Sequence, residues 1–429
     1  MRRGLTHTLA TSGRSWMVAY GAMIACSWGG NQFTPLLLLY KQEAHYTTLT
    51  VNLLLGIYVL GLAPALLVSG ALSDRYGRRP VMLAGVVAAI AGSTALACGG
   101  PFGVSALFVG RLLSGVTVGV AMAVGTSWVK ELSQPPLDPG ADVASGARRS
   151  SMAFTLGSAL GALVAGGIAQ LTPWGQELPY LVQIVVSLPF LFLVRGAPET
   201  SEIGARTGPL WRQLRVPSAR HRRFGRVVLA AAPFLFVAAA LAYGYLPVLL
   251  GERTGGWGIG YATVLSVVTL GMATLVQPLA KRAHSLRSAR GLALCLMVIA
   301  LGTACVAFAV TAQSLLLGAL ASIVLGAGMG IGLVSGLLEV QRIAGARDLA
   351  GLTGDFYAVA YTGFLAPTVL AALTSLARIT VLLACVTGLA VLALVFVLAV
   401  SRKYLPRDES EVPLPAAEEP DHRTPALRG

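Results

Sequence analysis

Long apolar runs separated by short polar segments dominate this chain. A helix that crosses a bilayer needs about 20 mainly apolar residues, and about twelve runs approach that length. They lie approximately at residues 16–40, 49–72, 80–98, 104–129, 149–170, 179–195, 226–250, 259–279, 290–311, 315–338, 350–374 and 378–400. The pattern predicts an all-α membrane protein with twelve transmembrane helices.

The longest polar segment between these runs, residues 196–225, is rich in arginine and divides the predicted helices six and six. It separates an N-terminal half, residues 16–195, from a C-terminal half, residues 226–400. Residues 1–15 precede the first run, and residues 401–429 mix proline with acidic residues, which predicts a disordered tail. Two six-helix halves joined by a basic linker are typical of transporters built from repeats.

Composition supports this interpretation, because 55% of the residues are hydrophobic and only 12% are charged. Soluble domains carry about 25% charged residues. The net charge of +14 would suggest nucleic acid in a soluble protein, but here the basic residues lie in short loops, so no nucleic-acid partner is expected. The first apolar run is longer than the roughly 7–15 residues of a signal-peptide core, which predicts a retained span.

The basic residues also predict the orientation of the helices, since cytoplasmic loops are enriched in lysine and arginine. A cytoplasmic N-terminus places all 32 basic residues on the cytoplasmic side except Lys41, Arg253 and Arg378 outside and Arg111 within a span. We therefore expect a multi-pass protein of the inner (plasma) membrane with the N-terminus, the linker and the tail in the cytoplasm.

No pattern in the chain is typical of an enzyme. The five cysteines fall inside apolar runs without metal-ligand spacing, and no phosphate-binding glycine loop or catalytic triad stands out. We predict no cofactor, no metal site and no catalytic residue, and we keep a membrane-embedded enzyme or sensor as a remote alternative.

The loop between the second and third runs carries a compact charged motif, Gly-Ala-Leu-Ser-Asp-Arg-Tyr-Gly-Arg-Arg, at residues 70–79. Gly77 can adopt the positive φ that a tight turn requires. Asp74 lies at the C-terminal end of a predicted helix, where the helix dipole disfavours an anion, so it needs a cationic partner. Arg78, or the N-terminus of another helix, could serve, whereas a solvated charge cluster that only fixes topology is the simpler alternative.

This motif resembles the loop signature of the major facilitator superfamily, and it lies in the loop where that family has it. The resemblance implies a two-half transporter that works by alternating access. It also implies a cytoplasmic gate motif in which the aspartate docks on the start of the eleventh helix. The corresponding residues here are Gly70, Asp74, Arg75, Gly77, Arg78 and Arg79.

Two further stretches resemble patterns of the same family. The fourth run carries Arg111, Gly115 and Gly119 at four-residue spacing, and the fifth carries Gly157, Gly161 and Gly166 but has alanine where the family's antiporter pattern has proline. Small residues at this spacing let helices pack closely. Close packing therefore explains the glycines by itself, and an antiporter meaning stays open.

Polar residues within the predicted helices are candidates for a solute path. A charge at mid-depth costs roughly 2.5–3.5 kcal/mol on insertion scales, so Arg111 should face a wet cavity or a partner, unless it reaches the outer surface. We expect the cavity or the coupling site to be formed by Arg111, Asn31, Gln32, Asp355, Tyr243, Tyr357 and Tyr361. Asp355 could either cap a gate or carry a proton.

These features favour a secondary transporter that moves a small organic solute, and the partial antiporter pattern favours proton-coupled efflux of a drug or metabolite. A nutrient symporter or a facilitator is the alternative, because no acidic residue lies at mid-membrane in the first half. We expect protons and membrane lipids as further partners, and a monomer.

Overall fold

The computed structural model describes residues 14–141, 145–201, 216–283, 288–344 and 349–403, and these residues are mainly helical. We number the helices after the predicted spans. Their bounds are α1 Trp16–Asn31, α2 Thr48–Tyr76, α3 Arg78–Ala97, α4 Gly99–Leu132, α5 Ser145–Leu171, α6 Leu178–Gly196, α7 Phe224–Thr254, α8 Gly258–Ala280, α9 Arg290–Ala312, α10 Leu315–Ile343, α11 Gly351–Leu373 and α12 Ile379–Val400. The predicted all-α membrane fold is confirmed.

The first predicted span departs from the others. It consists of α1 and a short helix, Leu37–Gln42, which are joined by turns. The other helices, α2 to α12, make eleven in the described part of the chain that are long and apolar enough to cross a membrane. Twelve crossings therefore stay a prediction that depends on α1 and the short helix acting together.

The two halves repeat the same packing scheme. In the first half α4 packs on α2 and α3, α1 packs on α5, and α3 packs on α6; in the second half the corresponding pairs are α10 with α8 and α9, α7 with α11, and α9 with α12. Three predicted segments lie largely outside the described residues: the N-terminal segment, the linker and the C-terminal tail. Residues 1–13, 202–215 and 404–429 are not described.

Glycines explain why these helix pairs approach so closely. A Cβ on Gly115 of α4 would overlap the backbone of α2 at Tyr58 and Leu62, and one on Gly119 would lie 2.7 Å from the carbonyl oxygen of Leu62. In the second half, a Cβ on Gly326 of α10 would likewise overlap the backbone of α8. The absence of side chains at the crossing point is thus repeated in both halves.

The halves meet along α5 with α8 and along α2 with α11. We call the end of the bundle that carries residues 70–79 the motif end. At the opposite end Gln170 of α5 bonds both the Gly256 carbonyl (3.2 Å) and the Gly260 N–H (2.8 Å), and the Thr368 hydroxyl donates to the Asn52 carbonyl at 2.7 Å. The two halves are therefore joined at the opposite end.

Candidate functional site

A cavity of about 1100 Å³ lies between the two halves. Its lining runs along α4 from Arg111 to Lys130, a distance of about 28 Å at 1.5 Å per residue. It reaches Asp74 of α2 and Gln341 of α10 at the motif end. The cavity therefore extends from Arg111 to the motif end, whereas the halves are joined at the opposite end.

Arg111 lies at the deep end of this cavity and is only 1% exposed. Its Nε donates to the Leu54 carbonyl at 3.1 Å, and its guanidinium carbon lies 4.7 Å from the ring centroids of both Phe33 and Tyr58. The side chain therefore points into the protein, which is not the geometry of an arginine that reaches the outer surface.

Aromatic rings form the wall next to Arg111. Phe236 of α7 stacks on Tyr361 of α11 with centroids 3.8 Å apart, and Tyr361 stacks on Phe364 at 5.8 Å. Tyr58 and Tyr243 approach Phe364 at 6.2 and 6.4 Å. Both halves thus contribute rings to one apolar surface, which suits a flat aromatic solute.

The predicted cavity residues are brought together with one exception. Asn31, Arg111, Tyr243, Asp355, Tyr357 and Tyr361 all line the cavity, together with Tyr58. Gln32 does not: it is fully buried within the first half, where its amide donates to Gln183 of α6, which also accepts from Ser93 of α3. Neighbouring residues on a helix point about 100° apart, so Asn31 faces the cavity while Gln32 holds α1, α3 and α6 together.

Asp355 lies nearer the motif end on α11, six residues before Tyr361. No group among the described residues hydrogen-bonds or ion-pairs with its carboxylate. Asp74 and Asp355 are the carboxylates on the cavity wall within the described ranges. The cavity therefore carries Arg111 at its deep end, and both carboxylates and basic side chains, Arg78 and Lys130, towards the motif end.

Arg78 organises the loop between α2 and α3. Its Nη1 lies 2.8 Å from Asp74 Oδ1, and its Nη2 lies 2.9 Å from Oε1 of Glu131 at the end of α4. It also donates to the hydroxyl of Ser73. Arg75 lies beside the ring of Tyr76, at 5.5 Å. Asp74 thus has the arginine partner across the turn that the sequence analysis required.

Glu199, just after α6, is a residue that the sequence analysis missed. Gly77 adopts φ 101° before α3, and the Glu199 carboxylate accepts from the backbone N–H groups of Arg78 (2.7 Å) and Arg79 (3.0 Å). A Cβ on Gly77 would lie 2.6 Å from that carboxylate. Burial raises the pKa of Glu199, but the backbone N–H bonds outweigh burial and leave the pKa below its usual value. An anion at the start of a helix is favourable, and it fixes the turn.

A buried ion pair in the second half was also missed. Arg223, which lies in the segment that the sequence analysis assigned to the basic cytoplasmic linker, is 0% exposed. Its guanidinium bonds Glu339 of α10 at 2.6 and 2.9 Å and the carbonyls of Ser401 and Lys403 after α12, both at 3.1 Å. The Arg223 side chain therefore joins the start of α7 to the ends of α10 and α12 at the motif end. A glutamate in an otherwise apolar run was the only signal in the sequence.

Several curated proteins are similar to parts of this chain. It is 34% identical over 156 residues to the multidrug efflux pump LfrA of Mycolicibacterium smegmatis, which is 35% of this chain and 28% of that protein. It is 33% identical over 132 residues to the uncharacterized MFS-type transporter YfkF of Bacillus subtilis (30% and 32%), and 28% identical over 152 residues to the quinolone resistance protein NorB of Staphylococcus aureus (35% and 31%). The matched stretches span about a third of the length of these relatives.

Solved transporter structures share the fold over nearly the whole chain. A POT family transporter in complex with 5-aminolevulinic acid matches with a TM-score of 0.70 at 13% identity, covering 92% of this chain and 97% of that one. A D-xylose-proton symporter matches with a TM-score of 0.66 at 16% identity, covering 92% and 98%. At these identities the likeness concerns the fold alone.

Residues 17–367, which include the loop motif, the cavity helices and both halves, match the profile of the Major Facilitator Superfamily. That stretch covers most of the chain, and the loop between α2 and α3 has the glycine, aspartate and arginines that the family resemblance required. The protein is thus a multi-pass membrane protein, and the chain belongs to the Major Facilitator Superfamily.

Proposed function

We propose that this transporter exports a small organic solute with aromatic character from the cytoplasm in exchange for protons. The observation that carries the proposal is the cavity between the halves, which is lined by rings near Arg111 and reaches the motif end while the opposite end is joined. A cavity accessible from one side at a time is what alternating access requires. The relatives described as efflux and resistance proteins support export rather than uptake.

The direction depends on the orientation, and the basic residues favour a cytoplasmic motif end in the inner membrane. Everted vesicles with an acidic interior should then accumulate aromatic solutes from a panel of anions, cations and neutral compounds, and lose them when ammonium collapses the pH gradient. Accumulation confined to right-side-out vesicles would instead indicate uptake, the alternative that the sequence left open.

We further propose that Asp355 carries the exchanged proton, because its carboxylate lies on the cavity wall and has no partner among the described residues. In Asp355→Asn, the solute accumulation driven by the pH gradient should fall at least about tenfold. Exchange of labelled for unlabelled solute, which needs no net proton movement, should be retained. Asp355→Glu keeps a titratable group and serves as the matched control. Accumulation by Asp355→Asn at the parental level would assign coupling to another group.

We also propose that the loop at residues 70–79 stabilises the state that is closed at the motif end, with Asp74 docking on the start of α11. Asp74 and the first turns of α11 line the same cavity at the motif end. Asp74→Asn removes the negative charge that would dock on the positive N-terminal end of α11, so the closed state should become rarer and turnover should fall several-fold while the amount of protein stays near normal.

The population of the open state can be measured with a cysteine at Ser151, an exposed residue on the cavity wall near the mouth, in a background without the native cysteines. A membrane-impermeant maleimide should label it faster in Asp74→Asn everted vesicles. Asp138→Asn, which also removes an ion-paired carboxylate (2.6 Å to Arg149) but lies away from the cavity wall, is the control. Equal labelling and turnover in parent and Asp74→Asn would reduce the loop to a topology signal.

A further inference from the structure

The deep end of the cavity holds a cation that the protein does not neutralise. Arg111 donates through Nε to Leu54, but its Nη1 is buried and has no hydrogen-bond partner among the described residues. Buried charges are normally paired, because an unpaired one forfeits its hydration without compensation. Contacts with the faces of Phe33 and Tyr58 recover part of that loss but leave the positive charge in place.

Neither carboxylate of the cavity wall pairs with Arg111 among the described residues. Asp74 lies on α2, twenty residues beyond Leu54, which corresponds to about 30 Å at 1.5 Å per residue, and it is bonded to Arg78. Asp355 lies six residues from Tyr361, about 9 Å along α11, and the Tyr361 ring is itself 6.3 Å from the Tyr58 ring on which Arg111 packs. An anion that neutralises Arg111 must therefore come from the cavity.

The surroundings of Arg111 restrict what that anion can be. The adjacent wall consists of the stacked rings of Phe236, Tyr361 and Phe364, contributed by the second half. A small inorganic anion would leave these rings without contact, and an organic cation would be repelled by the guanidinium. An aromatic ring with one carboxylate-type group fits both features, since the ring packs on the wall while two oxygens face the planar donors of the arginine.

We propose that the solute of this transporter is an aromatic organic monoanion and that Arg111 recognises its acidic group. The proposal rests on the proposed transport function but is separate from direction and coupling. The site joins residues of α2 and α4 from one half with α7 and α11 from the other, so binding of the anion draws on both halves. Arg111 is then a binding residue, and its contacts with Leu54, Phe33 and Tyr58 set its position.

Binding to the purified full-length protein in detergent tests the proposal without any transport. We would compare three probes of similar size, 2-naphthoate, 2-naphthalenemethanol and 2-naphthylmethylammonium, by calorimetry and by thermal stabilisation. The naphthoate should bind the parent at least about tenfold tighter than the alcohol, and the ammonium should bind weakest. Equal binding of the three, preference for the cation, or no binding of the anion would overturn the proposal.

Variants of Arg111 test whether this residue binds the acidic group of the probe. Arg111→Gln should bring the ratio of naphthoate to alcohol affinity close to one, whereas Arg111→Lys, which keeps the charge but loses the planar pair of donors, should retain part of it. Arg253→Gln removes an exposed arginine at the opposite end and should change nothing. If Arg111→Gln still binds naphthoate more tightly than the alcohol, Arg111 is excluded as the binding residue. If Arg111→Gln fails to fold, the affinity ratios of the parent and of Arg111→Lys test the proposal instead.

Failure of this proposal and failure of the proposed function give different results. A protein that binds naphthoate through Arg111 but accumulates it only in right-side-out vesicles would refute export and leave the recognition intact. A protein that exports the ammonium or the alcohol and ignores the anion would leave export intact and refute the recognition.

Discussion

Replacing Gly115 with valine should leave little folded protein in the membrane. The new Cβ would overlap the Tyr58 carbonyl and lie 2.7 Å from the Leu62 nitrogen, and these are backbone atoms of α2 that cannot move aside as a flexible side chain could. Overpacking of a core costs roughly 1–3 kcal/mol when side chains adjust, and here the two helices must separate. We expect at least a fivefold drop in monodisperse protein on size-exclusion chromatography.

The effect should be specific to the crossing of α2 and α4. Gly271→Val makes the same change within α8 at a position where a Cβ meets nothing within 4 Å, so the amount of folded protein should equal that of the parent. Normal amounts of a stable Gly115→Val protein would show that α2 and α4 do not approach as closely as the structure has them.

Replacing Glu339 with glutamine should destabilise the second half severely. Arg223 and Glu339 have side chains only 0% and 2% exposed, so removal of the carboxylate leaves a buried guanidinium charge without its counter-ion. Breaking one partner of such a pair typically costs about 3–5 kcal/mol. We expect the melting temperature of the detergent-solubilised protein to fall by about 10 °C or more, whereas Glu252→Gln, at an exposed position, should leave it unchanged.

A double variant separates the charge from the packing. Arg223→Met with Glu339→Leu removes both charges at similar volume, and such replacements are often neutral or stabilising. It should therefore recover most of the melting temperature that Glu339→Gln loses. A double variant as unstable as Glu339→Gln would indicate that the bonds from Arg223 to the Ser401 and Lys403 carbonyls matter more than the ion pair.

The positions of the helices could be predicted because the bilayer imposes a length and an apolar composition on every span. The loop at residues 70–79 could be predicted as well, since its turn, its aspartate and its arginines lie within ten residues of one another. Local chemistry required a partner for Asp74, and Arg78 is that partner at 2.8 Å. The break in the first span at residues 32–36 was not foreseen, because hydropathy continues across it.

Which face of each helix points inward could not be predicted from hydropathy. In a membrane, the lipid-facing and protein-facing sides of a helix are both apolar, so the periodic signal that identifies the buried side of a soluble helix is weak. Asn31 and Gln32 show the consequence, because the sequence predicted both as cavity residues. In the structure Asn31 lines the cavity, whereas Gln32 hydrogen-bonds to Gln183 within the first half.

The sequence by itself determined that the chain is a two-half helical membrane protein with a charged loop of the Major Facilitator Superfamily, because these properties depend on composition and on neighbouring residues. Only the tertiary structure decided that Glu199 caps the turn before α3 and that Arg223 is buried with Glu339 more than a hundred residues away. It also decided that Arg111 packs on Tyr58, whose ring lies 6.3 Å from Tyr361 of the other half. Such contacts are set by how helices distant in the chain pack against each other. Neither hydropathy nor the local spacing of residues predicts that packing.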